Sequence, residues 1–127
     1  MNKHNMLRLL VVALAAGAPL TTVPTGWAAD AGHTRNLAAP LFDGLGNHHH
    51  AVSTKSERAQ RYFDQGLTLC YAFNHAEAIR SFWGALAEDP DCAMAYWGIA
   101  YAYGPHVNKP MSEEDNVQAW AAVRQAL

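Results

Sequence analysis

Charge is in short supply in this chain, and most of what else is missing narrows its chemistry. Charged residues make up 16% of the 127 positions and sum to −2. No basic excess exists to neutralise phosphates, so nucleic acid is not an expected partner. Cysteine occurs only at Cys70 and Cys92, with no CxxC or CxxCH, which removes support for thioredoxin-like chemistry and covalent haem attachment. No HxxxH or HExxH is present, and Gly44-x-Gly46 alone is a weak signal for a phosphate-cradling loop. Ser53, Ser56, Ser81 and Ser112 lack the flanking glycines of a nucleophile elbow. The carboxylates Glu57, Glu77, Glu88, Asp89 and Asp91 read as helix-end or solvated groups and not as an opposed buried pair. The expectation is a protein that is not an enzyme and carries no cofactor.

Long hydrophobic runs are absent as well. The longest, Leu9 to Ala18, comes after the positive start at Lys3 and Arg8 and is broken by Pro19. As a helix it would reach only ~15 Å, about half a bilayer core, so it reads as the core of a signal peptide and not as a membrane anchor. Small residues at Gly26-Trp27-Ala28 and at Ala29-Asp30-Ala31 offer two cleavage sites. The second is preferred, making 1–31 the signal peptide and starting the mature chain near Gly32. The expected location is outside the cytoplasm, periplasmic or secreted, with no membrane span after cleavage.

What remains is rich in alanine and, after position 54, poor in β-branched residues, which favours helix. Residues 32–53 carry Pro40, Gly44, Gly46 and the run His48-His49-His50, an irregular linker whose short segment Leu41 to Leu45 is expected to dock on the helices. Thr54 and Glu57 fit a capping box opening a first helix, in which Ala59, Tyr62, Phe63, Gly66, Leu69, Tyr71 and Phe73 recur at three- and four-residue spacing. Asn74 and His75 interrupt it. A second helix from about Ala76 to Glu88 stops at Asp89-Pro90-Asp91, since proline cannot continue the ladder. A third spans about Cys92 to Tyr103 before Gly104-Pro105, and Ser112 with acidic Glu113, Glu114 and Asp115 opens a fourth that reaches Leu127.

Within residues 59–92, Tyr62, Gly66 and Leu69 on the first helix, and Ala78, Phe82, Ala85 and Pro90 on the second, fall on a 34-residue helix-turn-helix pattern. That unit resembles the tetratricopeptide repeat. Residues 93–127 form a looser second unit, with Tyr96, Ile99, Ala100, Tyr103, Ala119, Val123 and Ala126 in matching places and an expanded turn from Gly104 to Met111. Gln65, where the family usually has leucine, and His75, where it usually has tyrosine, depart from the pattern. The run from about residue 41 to 127 is similar to the opening repeats of long exported bacterial tetratricopeptide proteins, which implies further repeats beyond Leu127. The fold expected is all-α, a tandem helix-turn-helix solenoid of about two repeats over 54–127, with a generic four-helix bundle as the alternative.

The resemblance also implies a function. First helices of such units line a concave groove, here formed by Gln60, Phe63, Leu67, Cys70, Tyr71, Met94, Trp97 and Tyr101. An apolar, aromatic groove suits a peptide or helix from a partner protein. The same side chains could instead be covered by residues 41 to 52 or by later repeats. In that geometry Cys70 and Cys92 lie ~15 Å or more apart along the axis, beyond the ~7 Å a disulfide tolerates, so two free thiols are expected. The runner-up function is metal binding, by His48 and His50 with Asp43 nearby and His75 or His106 brought in by folding.

Overall fold

The computed structural model describes residues 39–127. The expected signal peptide at 1–31 and the first part of the linker lie outside the described residues. The rest is helical, with no strand among the described residues beyond one isolated bridge between His106 and Lys109. Four helices occur in order: α1 Glu57–Tyr71, α2 His75–Glu88, α3 Ala93–Tyr103 and α4 Glu113–Ala126. Each packs on its neighbour in sequence, and α1 also touches α3. A helical-repeat arrangement is compatible with this order. Among the described residues no helix is long and apolar enough to cross a membrane.

The start of α1 corrects the expected box at Thr54 and Glu57. Ser56 is the N-cap, and its hydroxyl accepts from the Ala59 amide at 3.1 Å. Thr54 is drawn elsewhere: its hydroxyl accepts from the Ser56 amide and donates to the Asp89 carboxylate at the end of α2. Two hydroxyl residues compete for one cap, and the contact with Asp89 decides between them. At the other end, the Phe73 amide donates to the Cys70 carbonyl and the Asn74 amide to the Leu69 carbonyl. These two bonds close a Schellman motif, with Phe73 at φ 60° where glycine usually sits. Asn74 then caps α2 through its side chain, one residue from the expected start. Ser112 and Asp115 form a full capping box on α4, each satisfying the other's amide.

The core is organised around Phe82, fully buried on α2 with its ring 5.6 Å from that of Phe63. Glycines on both neighbouring helices admit it. A Cβ at Gly66 on α1 would lie 2.6 Å from the Phe82 ring, and one at Gly98 on α3 would lie 2.5 Å from it. Ala78 and Ala85 are fully buried on the same helix as Phe82. Close helix contact through small residues is therefore the main packing device of both joints, α1 to α2 and α2 to α3.

Candidate functional site

Residues 39–53 run as an irregular strap against α1, and this strap decides which aromatic residues stay open. Its turns use Gly44 at φ 80° and Gly46 at φ 85°, conformations that side chains with a Cβ rarely adopt. Ala39 is buried, and Leu41, Leu45 and Val52 pack against the core. Side chains of α1 then satisfy the strap's backbone. Tyr62 donates its hydroxyl to the Ala39 carbonyl at 2.8 Å, and Gln60 accepts from the Val52 amide while donating to the His50 carbonyl. Asp64 accepts from the His50 amide at 3.0 Å and pairs with the His49 ring at 2.8 Å.

Gln65 holds the other end of the strap. Its side chain is buried, accepts from the Phe42 amide at 2.7 Å, and donates to the Pro40 carbonyl at 2.8 Å and the Ser81 hydroxyl at 3.0 Å. A leucine here would remove the side-chain partner of the Phe42 amide and of the Pro40 carbonyl, and would leave the Ser81 hydroxyl only its bond to the Glu77 carbonyl. Gln65→Leu is therefore expected to release the Ala39–Phe42 end. Amide exchange at Phe42 should accelerate by about tenfold or more, with slower amides of α2 changing far less. Equal acceleration everywhere would mean that Gln65 supports the whole fold and not the strap.

With the strap in place the expected groove divides. Phe63 and Leu67 are buried, which removes them from any surface; Phe63 lies beneath the His50 ring at 6.1 Å as well as beside Phe82. Cys70 is buried too, and Gln60 is engaged by the strap. Tyr71, Trp97 and Tyr101 remain exposed at 61, 40 and 48%, and Met94 is half-buried. Trp97 and Tyr101, one turn apart on α3, stack with ring centroids 5.2 Å apart and planes 9° from parallel. Tyr71 closes α1 and takes the edge of the His48 ring at 6.0 Å. The open surface is thus a stacked pair on α3 together with the last residue of α1.

The histidines are placed by ring contacts. His48 meets Tyr71, His50 meets Phe63, and His49 pairs with Asp64. His75 and His106 stack face to face, centroids 4.2 Å apart, with Phe73 against both, which pins the expanded 104–111 turn to the start of α2. No feature of the sequence marked this pair, because its partners sit 31 residues apart on either side of two helices. Among the described residues no three histidine, cysteine or acidic side chains gather where they could hold a metal ion.

No protein-family model, curated protein or solved structure matches the chain. Its site must therefore be read from its own geometry. Asp115 is held below the ordinary carboxylate value by hydrogen bonds from Lys109 and Ser112, a local brace at the start of α4. Cys70 and Cys92 are both free and buried. Burial pushes the Cys70 thiol from an ordinary 9.0 up to about 12. The folded state thus favours the protonated thiol, so this contribution to stability is complete below pH 9 and is lost as pH rises from 9 towards 12. Iodoacetamide at about pH 8 should leave Cys70 unmodified in the native chain and alkylate it in urea, read by mass spectrometry. Rapid native alkylation would contradict the buried setting.

Proposed function

We propose that this chain is an exported helical-repeat module of the tetratricopeptide type that recognises a peptide or helix from a partner protein. The observation that carries the reading is the exposed, stacked Trp97–Tyr101 pair on α3. Two large aromatic faces held parallel outside the core are costly to leave in water, and such residues concentrate binding energy when a partner covers them. The repeat assignment is supported by the two sequential helix hairpins and by small residues at Gly66, Ala78 and Ala85, which sit at the joints where the 34-residue pattern requires them. Export is supported by the charged start, the apolar stretch Leu9 to Ala18 and the small residues at Ala29 and Ala31. The site comprises Tyr71, Trp97 and Tyr101, flanked by Met94.

Selection of displayed peptides against the full chain provides the test. Peptides captured by the wild type should lose about tenfold or more in affinity for Trp97→Ala, because the stacked pair is broken at its larger ring. Thermal unfolding of that variant should shift little, since Trp97 is 40% exposed. Peptides that bind Trp97→Ala as tightly as the wild type, or a variant that fails to fold, would remove the pair as a recognition surface. Export is checked separately by fusing residues 1–35 to a reporter active only outside the cytoplasm.

A further inference from the structure

α4 distributes its side chains against the usual rule. Its buried residues are Ala119 and Ala122, while Val117 and Trp120 are each 62% exposed. Inward alanines suit close packing on α3; what departs from the usual pattern is a tryptophan left outward with a valine one turn before it. The exposed residues also share one line. Glu113, Val117, Trp120 and Arg124 succeed one another at spacings of four, three and four, the repeat of a helix-pairing seam. Glu113 and Arg124 are exposed, and neither has a side-chain partner elsewhere in the chain among the described residues.

We propose that this seam is the interface of a two-fold dimer, in which α4 pairs antiparallel with α4 of a second copy. An axis passing between positions 118 and 119 sets Val117 against Trp120 of the second copy and Glu113 against Arg124, each contact occurring twice. The charges select this arrangement. The acidic end of α4 meets the single basic residue of its last turn only when the helices run in opposite directions. A parallel pair sets Glu113 against Glu113 and Arg124 against Arg124. A self-complementary patch of this kind gives a closed two-fold pair.

Sedimentation equilibrium on the full chain tests this, with circular dichroism confirming helix content in each variant. The wild type should be dimeric at about 200 µM, and Trp120→Glu should be monomeric there, because a charge would sit in the apolar centre of the seam. Glu113→Arg and Arg124→Glu alone should each weaken the dimer by about tenfold or more through like-charge contact, and the double reversal should restore it to within about threefold of wild type. A wild-type monomer overturns the proposal and leaves the face to a helix of another protein. A dimer indifferent to Trp120→Glu, or a double reversal no better than the singles, overturns it as well, placing association elsewhere on the chain.

Discussion

Replacing Phe82 with alanine is expected to remove about 3–5 kcal/mol of stability, the usual cost of emptying a fully buried aromatic site. The position offers little relief. The ring is 0% exposed and sits between Gly66 of α1 and Gly98 of α3, with Phe63 beside it. Glycines carry no side chain that could swing into the space, so the cavity would stay open unless whole helices moved. Since domains of this size are stable by only about 5–15 kcal/mol, the variant should unfold at markedly lower urea, the midpoint falling by about a third or more of the wild-type value unless the chain lies at the top of that range. Phe82→Leu, which keeps much of the volume, should cost less than half as much. A Phe82→Ala midpoint close to wild type would mean that the two helix joints do not share this ring.

The second large effect comes from adding atoms at the same place. Gly98→Ala would ordinarily gain up to about 1 kcal/mol, because alanine is the better helix former. Here its Cβ would fall 2.5 Å from the Phe82 ring, a distance real contacts do not show. The fully buried ring has little room to move aside, with Phe63 beside it and Gly66 of α1 close enough that a Cβ there would also fall 2.6 Å from it. Overpacking of this kind costs about 1–3 kcal/mol, enough to reverse the propensity gain. Net destabilisation is expected, and Gly98→Val should be worse. The two sites should also couple: in a Phe82→Leu background the Gly98→Ala penalty should shrink by at least about 0.5 kcal/mol, measured by a double-mutant cycle. A stabilising Gly98→Ala would refute the three-layer contact.

The proposed surfaces divide the molecule by face. On α3, Trp97 and Tyr101 project a stacked pair away from a core filled by Ala95, Ile99 and Ala102 of the same helix. On α4, the seam centred on Trp120 faces away from buried Ala119 and Ala122. Each helix therefore buries small or branched residues on one side and offers aromatic area on the other. A peptide bound at the first surface and a second copy bound at the other would not compete for the same side chains, so the two proposals fail or stand separately.

How much of this is legible in the sequence depends on how far apart the deciding atoms lie. The helices at Glu57–Tyr71, His75–Glu88, Ala93–Tyr103 and Glu113–Ala126 derive from periodicity, Pro90, Gly104-Pro105 and the Ser112–Asp115 box, all of which act over a few residues. The small residues Gly66, Ala78 and Ala85 are recognisable for the same reason, as a pattern repeating along one chain. Thr54 reads as the cap, yet Asp89, 35 residues away, claims its hydroxyl. Phe63 and Leu67 read as groove residues, but the core and, over Phe63, the strap enclose them; Gln65 reads as a departure, but Pro40, Phe42 and Ser81 surround it. Gly98 carries no signal without Phe82 opposite it. The sequence by itself determined which stretches are helical and, outside the two ends of α1, where they begin and turn, because those choices are made by neighbours. Which faces are sealed and which stay open was decided only by tertiary structure, because burial depends on what the chain brings back from 14 to 31 positions away.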